Sequence, residues 1–240
     1  MPSIPSRPLP APTISVIIPA VNEQASIAGA IASAQEAGAD EVLVADGGSH
    51  DGTIREAQRM GAWIVASDRG RARQQNAGAA QARGDILLFL HADTRLTTEC
   101  LRQIRTLLAR DPAPRFGAFR QRIDAAGWKY RLLERGNAWR VRWLGLAYGD
   151  QAIFARKSWF TEMGGFPEVP LLEDLMLSRR ARRNAPLTLL PGPVITSARR
   201  WQRHGVVRQT LRNWSIVAGY FLGLPPSTLA QWYRAHDRPN

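Results

Sequence analysis

The sequence predicts an α/β fold: a mostly parallel central sheet flanked by helices, with a helical appendage at the C-terminal end. Three observations predict it. Short unbroken apolar runs recur, such as Ile86 to Leu90, each too short for an isolated helix and suited to a strand buried on both faces of a parallel sheet. Stretches of helical length alternate with them, in the order that builds right-handed βαβ units. The first, second and fourth runs each end in a polar or acidic cluster, namely Asn22-Glu23, Asp46 and Asp93. That edge is where ligands bind in open α/β sheets.

Met1 to Pro12 is rich in Pro and Ser and lacks the apolar core of a signal peptide, so residues 1–13 read as a disordered leader. Ile14 to Pro19 is the first strand, with Ala20-Val-Asn-Glu23 at its carboxyl end. An Ala-rich amphipathic helix then runs to about Ala37, where Gly38 ends it. Glu41 to Ala45 is the second strand, followed by the turn Asp46-Gly-Gly-Ser-His-Asp-Gly-Thr53 and a helix to about Met60. A carboxylate just beyond a strand can accept hydrogen bonds from a base or ribose, and Gly47 and Gly48 allow close backbone approach. The same residues also fit a plain glycine turn with Ser49 or Asp51 as helix cap.

Ala62 to Ala66 is a short strand. Arg69, Arg71 and Arg73 then stand at alternate positions ahead of a small-residue helix reaching about Ala82; they either face a diphosphate or form a solvated charged face. After Ile86 to Leu90 comes His91-Ala92-Asp93. An Asp there can hold a divalent cation against a diphosphate, or Asp93 or Thr94 caps the helix that begins near Thr97 and Thr98. Phe116 to Ile123 alternates well enough for a strand. Trp128 to Leu146 is a helix dense in Arg, Trp and Leu, a mixture that suits a membrane interface or a core-facing helix with Arg on its wet side.

Gly149 to Ser158 supplies a short strand and a helix start, and Met163-Gly-Gly-Phe-Pro167 a tight turn. Glu173-Asp174 opens the next helix, either as compensation of its dipole or as a general base. Leu187 to Leu190 and Val194 to Thr196 read as two closing strands, Ala198 to Gly205 as a basic loop, and Val206 to Leu224 and Ser227 to Arg234 as helices.

With 240 residues, 45% of them hydrophobic, the chain can fill one core and carry an appendage. Its net charge of +12 rests almost wholly on Arg, since Lys129 and Lys157 are the only lysines. Arg suits diphosphate recognition because its planar fork donates paired hydrogen bonds. Cys100 stands alone, which excludes an intramolecular disulfide and a Cys-cluster zinc site and makes a cytosolic setting the default.

Taken together, Ser15 to Glu23, Val44 to Thr53, Gly70 to Gly78, Leu87 to Thr94, Met163-Gly-Gly-Phe166 and Glu173-Asp174 resemble the family 2 glycosyltransferases in order and spacing. Leu-His-Ala-Asp-Thr94 and Ser197-Ala-Arg-Arg-Trp201 resemble the subgroup labelled arsenosugar-biosynthesis or radical-SAM/selenodomain-associated glycosyltransferases. The resemblance implies a GT-A fold over residues 14–198, a nucleotide-binding half (14–95), an acceptor half (96–198) and a helical extension (199–240). It implies a nucleotide-sugar donor, with Pro19, Ala20, Asn22, Glu23, Asp46 and Gly47 around the nucleoside. Arg71, Arg73 and Asn76 would lie near the ribose and phosphates, with His91 and Ala92 beside them. Asp93 is the position of the metal-binding Asp, for Mg²⁺ or Mn²⁺, and His204 a further metal candidate. Asp174 is the position of the general base, with Glu173 beside it.

Arg200 and His204 would share the leaving-group task, Trp201 would line the substrate site, and Asp150 would lie on the acceptor side. Two departures stand out. The first Asp of the family's DxD motif is His91, and the QxxRW motif of processive synthases survives only as Ser197-x-x-Arg200-Trp201. A polymerising role is therefore not expected.

The resemblance leaves two acceptors to expect, a small molecule or a lipid phosphate, the latter drawing the chain to the inner face of a membrane as in polyprenol-phosphate transfer. The Trp-rich C-terminal helices could also bury against a second copy. A nucleotidyltransferase would show a Gly-rich loop with Lys or Arg after its first strand, where this chain has Ala20-Val-Asn-Glu23. A nucleic-acid partner or a non-catalytic nucleotide-binding role is favoured by charge alone and leaves the strand-end acids unexplained.

Overall fold

The computed structural model describes residues 11–184 and 186–235; of the expected leader, residues 1–13, the first ten lie outside them, and Thr13 donates from its N–H and its hydroxyl to Asp85. The apolar runs become strands β1 (Ile14–Ala20), β2 (Glu41–Asp46), β3 (Trp63–Ala66) and β4 (Ile86–Phe89). Helices α1 (Ile27–Glu36), α2 (Thr53–Arg59) and α3 (Arg71–Gln81) connect them. All four strands pair in parallel, and Ala20 of β1 lies level with Asp46 of β2, which lies level with Ala66 of β3. The loops that follow β1, β2 and β4 therefore open on one edge.

The remaining elements are β5 (Thr94–Arg95), α4 (Glu99–Arg110), β6 (Phe116–Asp124), α5 (Trp128–Leu144), β7 (Phe154–Arg156), α6 (Lys157–Glu162), α7 (Glu173–Ala181) and β8 (Thr188–Ser197). Three helices follow: α8 (Arg199–His204), α9 (Val206–Phe221) and α10 (Pro226–Ala235). The eight-stranded sheet runs β3-β2-β1-β4-β7-β6-β8-β5, with β7 antiparallel to both β4 and β6. The mostly parallel α/β architecture with a helical C-terminal appendage is thus borne out.

The pleat explains the two-sided core. Val16 and Ile18 face a layer holding Ile27 and Ile31 of α1 with Leu101 and Ile104 of α4. Ile17, Leu87 and Phe89 face Ala72 and Ala79 of α3, Phe160 of α6, Leu177 of α7 and Phe166 in the turn before α7. Consecutive side chains of one strand point to opposite faces, so unbroken apolar runs are what a doubly covered sheet requires.

Three local expectations are corrected. The supposed basic loop is helix α8, which stops at Gly205 with φ near +79°. The two closing strands are one strand, β8, whose register against β6 shifts between Phe119 and Gln121. Neither Asp93 nor Thr94 caps α4: Thr94 instead enters β5 and pairs with Thr196, and no side chain caps that helix.

Gly117 sits where β6, β7 and β8 meet, and a methyl there would overlap the Phe154 ring and lie 2.6 Å from the Thr188 carbonyl oxygen. Because backbone is one of the colliding partners, the clash cannot be relieved by a rotamer change. Gly117→Ala is expected to cost on the order of 3 kcal/mol, lowering Tm by about 6–12 °C in a chain of this size. A thermal melt within 2 °C of native would contradict that packing.

Candidate functional site

The site is built on the loops at the carboxyl edge of the sheet. The loops after β1 and β2 are stitched together: Asn22 takes φ near +54°, its N–H donates to Ser49 Oγ at 2.9 Å, and its Oδ1 accepts from His50 N at 2.9 Å. Glu23 N–H donates to Thr53 Oγ1 at 2.8 Å, and Gln74 Nε2 donates to the carbonyls of Ala20 and Ala45. Asp46 accepts from the N–H groups of Gly48 and Ser49 and from Ser49 Oγ, so its carboxylate shapes its own turn.

Two cavities lie beside this edge. One, of about 330 Å³, is walled by Pro19, Ala20 and Glu23 on one side and by Ala230 and Tyr233 of α10 on the other. The second, of about 170 Å³, gathers His91, Asp93, Asp150, Asp174, Arg200 and Trp201. Arg71, Leu171, Glu173 and Tyr233 wall both, so the two cavities adjoin. Residues separated by more than a hundred positions in the chain are thereby brought together.

Asp174 opens α7. Its Oδ1 accepts from Leu175 N and its Oδ2 from Gly149 N, each at 2.6 Å. Glu173 is buried beside it, with Oε1 3.5 Å from the Arg71 guanidinium. Burial pushes the Glu173 carboxyl above its ordinary range, and the Asp174 charge pushes the same way while Arg71 opposes both. Burial also raises the Asp150 carboxyl, against Arg140. The Asp150 Oδ2 accepts from Gln121 Nε2 at 2.9 Å, and Gln121 is steadied in turn by Asn137. Burial, with Arg71 and Arg200 nearby, drives His91 well below the usual imidazole value, so its ring is neutral.

Among the described residues, five that line this cavity hold a buried polar atom without a hydrogen-bond partner: His91 Nε2, Asp150 Oδ1, Glu173 Oε1, Trp201 Nε1 and Gln209 Oε1. Unsatisfied groups are costly in an interior and are tolerated where a ligand completes them. Arg199 approaches Asp93 at 3.9 Å, and Arg200 donates to the Tyr233 hydroxyl at 3.0 Å.

Several expected site residues lie elsewhere. Asn22, Asp46, Gly47, Arg73, Asn76, Ala92 and His204 face neither cavity. Arg73 pairs with Glu168 and Asp68 at the surface. Asn76 holds the backbone of Phe166 with both ends of its amide, a structural post. Ala92 is buried in the core, and His204 ends α8. Tyr148, Gln209, Asn213 and Tyr233 line the acidic cavity without having been singled out. Nothing in the sequence marks Tyr233, because only the packing of α10 across the sheet edge brings it there.

Among the described residues no group of three or more His, Cys, Asp or Glu side chains is arranged to hold a metal. The donors that do fit are the Asp93 carboxylate and the unpartnered His91 Nε2, which share one cavity. Mg²⁺ is commonly bound through one or two protein groups plus substrate phosphates and water, so this sparse set suits an ion that arrives with a diphosphate.

A family model described as Glycosyl transferase family 2 matches residues 15–166. No curated protein matches the chain. Among solved structures, S. aureus TarS 1-349 is similar with a TM-score of 0.61 at 17% identity, over 78% of this chain and 60% of that one. TarS 1-349 in complex with UDP-GlcNAc gives the same TM-score over 77% and 58%. Glucosyl-3-phosphoglycerate synthase from Mycobacterium tuberculosis in complex with Mn²⁺, UDP and glucosyl-3-phosphoglycerate gives 0.55 at 20% identity, over 78% of this chain and 70% of that one. The chain thus spans about three fifths of the TarS fragment. At these identities the likeness shows the fold.

Proposed function

Because the chain belongs to glycosyl transferase family 2, we propose that it moves a sugar from a nucleoside-diphosphate sugar to an acceptor hydroxyl, with inversion. The observation that carries this reading is the pair of adjoining cavities, the one at Pro19–Glu23 and the one holding Asp93 and Asp174, with Arg71 and Glu173 in the wall of each. The first cavity suits a nucleoside, and the second suits a diphosphate, a sugar and an attacking hydroxyl.

In the proposed step Asp174 takes the proton of the acceptor hydroxyl as that oxygen attacks the anomeric carbon. The bond from that carbon to the diphosphate oxygen breaks on the opposite face, so configuration inverts and the nucleoside diphosphate leaves. Backbone N–H groups of Gly149 and Leu175 fix the carboxylate while leaving each oxygen a further lone pair. Arg71 and Arg200 line the same cavity and would offset leaving-group charge. A Mg²⁺ or Mn²⁺ ion, when bound, supplies further charge stabilisation there, and Asp93 with His91 would hold it.

The same proposal extends to a single rather than processive hexosyl transfer, within the subgroup suggested by His91-Ala-Asp-Thr94 and Ser197 to Trp201. It divides the chain as 14–95 for the donor, 96–198 for the acceptor and a helical extension from residue 199. A UDP-sugar is the first donor to test, since the similar structures carry UDP-GlcNAc or UDP.

The test is calorimetric titration with UDP, GDP and CDP, with and without Mn²⁺, on the native chain and Asp93→Ala. We expect one nucleotide to bind in an Mn²⁺-dependent way, and the variant to lose at least tenfold in affinity. If no nucleotide binds under either condition, the donor reading is wrong.

A further inference from the structure

Arg140 of α5 walls neither of the two cavities at the sheet edge, yet hydrogen bonds lead from it to two carboxylates of the acidic one. Its guanidinium uses three different nitrogens. Nε donates to the Leu146 carbonyl at 3.0 Å, Nη1 to Asn137 Oδ1 at 3.3 Å and Nη2 to Gln151 Oε1 at 2.7 Å. Its flat face is stacked 3.4 Å from the centroid of the Tyr148 ring. A planar fork can serve all of these at once, whereas an ammonium is a point charge.

The first arm ends on Asp174. Residues 146–151 form a short loop closed by one turn of 3₁₀ helix, Gly149–Gln151. Arg140 grips that loop at Leu146 and at Gln151 and stacks on Tyr148 between them. The buried Gln151 transmits the hold, since its Oε1 also accepts from Tyr148 N at 3.2 Å. Gly149 N then donates to Asp174 Oδ2. Ala152, directly after the turn, has φ near +46°, a conformation that alanine keeps only where its surroundings impose it.

The second arm ends on Asp150. Arg140 can only donate, so Asn137 Oδ1 must accept, and the sense of every later amide follows. Asn137 Nδ2 donates to Gln121 Oε1 and Gln121 Nε2 to Asp150 Oδ2, each at 2.9 Å. The Asp150 carbonyl is anchored separately by Thr196 Oγ1 at 3.1 Å.

We propose that Arg140 is a positioning residue: its guanidinium holds the 146–151 loop so that Gly149 fixes Asp174, and through Asn137 and Gln121 it orients Asp150. This rests on the proposed role of Asp174 and deepens it by naming what holds the base in place. A displacement near 1 Å at a reacting group can cost about 10²-fold in rate. The hold therefore bears on turnover although Arg140 lies outside both cavities.

The readout is the Gly149 amide in the nucleotide-free chain. Tyr148-Gly149 is the only Tyr–Gly pair in the sequence, so carbonyl-¹³C tyrosine with ¹⁵N glycine labelling singles out its resonance. A proton donated to a carboxylate over a short distance lies downfield, and Asp174→Asn supplies the reference for the weakened bond. Arg140→Lys, which keeps the charge but loses the fork, and Arg140→Gln should both move the resonance upfield toward that reference. Both should also speed its exchange with solvent at least tenfold. Asn137→Ala cuts only the second arm and should leave Gly149 as in the native chain. Gly29, Gly61 and Gly84, in the first half of the chain, should stay in place in every variant.

A native resonance and exchange rate in either Arg140 variant would overturn the proposal. So would an equal displacement of Gly149 in Asn137→Ala, the effect then being a general loosening of α5. Movement of Gly29, Gly61 and Gly84 along with Gly149, or loss of the folded spectrum in both Arg140 variants, would overturn it too, by making Arg140 a support of the whole fold. The nucleotide titration is read separately. If UDP, GDP and CDP all fail to bind while Gly149 responds as expected, the transferase reading falls and the hold on Asp174 stands; binding with an unresponsive Gly149 gives the converse.

Discussion

Asp174→Asn is expected to bind the nucleotide donor within about twofold of the native chain while losing roughly 10²- to 10⁴-fold in turnover, the range for removal of a general base. The amide keeps the shape of the carboxylate but has lost the basic oxygen. It also disturbs one contact. Asp174 accepts from two backbone N–H groups, those of Leu175 and Gly149, and the single amide oxygen can satisfy only one of them.

The other N–H then faces the amide NH₂, which costs about 1–3 kcal/mol, so a modest fall in Tm should accompany the loss of rate. Glu173→Gln is the control. Its carboxyl lies against Arg71 rather than being held by those amides, so donor affinity should change more than turnover. If Glu173→Gln stops turnover and Asp174→Asn does not, the base is Glu173.

Much of this architecture was legible because a doubly covered sheet writes itself plainly. Ile14 to Ala20 and Ile86 to Phe89 are apolar without alternation because both faces are roofed by helices. Position at the carboxyl edge then follows from topology, and this is why Glu23, Asp46 and Asp93 could be picked out as residues delivered to one edge, whereas Arg71 and Asp174 were assigned by resemblance. What was not legible is what each polar side chain bonds to. Asn22 and Asp46 carry the residue types of a ligand site, and their side chains also accept local hydrogen bonds from Gly48, Ser49 and His50. Asn76 is taken up by Phe166, a residue ninety positions away.

The second half of the chain was harder for a different reason. Ala198 to Gly205 has no apolar periodicity, and α8 has no buried residue among its six, so pattern alone favours a loop. Its sequence includes Gly205, an apt helix stop, but a helix this short leaves little else to read. Tyr233 illustrates the limit most clearly: its place in the walls of the two cavities depends on α9 and α10 folding back over the sheet edge, a long-range event with no local signature.

Gly149 carries the other large expected effect, through space rather than charge. Its φ lies outside the left-handed region, so alanine suits its backbone. The obstacle is that an added methyl would overlap His91 Nε2, lie 2.8 Å from His91 Cε1 and come within 3.4 Å of Asp174 Oδ2. The Gly149 N–H also holds Asp174. Either the buried imidazole moves or the 149 backbone retreats, and in the second case the general base swings with it.

Displacements near 1 Å at reacting groups can cost about 10²-fold. Gly149→Ala should therefore reduce kcat/KM by roughly that factor and lower Tm. Adding His91→Ala removes the colliding ring, so the double variant should recover the Tm of His91→Ala alone and should lose no further activity relative to it. Such a strongly non-additive cycle is the signature of two residues competing for one volume. Simple additivity in Tm and in kcat/KM would mean that Gly149 and His91 act independently, and the close packing of the imidazole against the loop that positions Asp174 would have no part in its function.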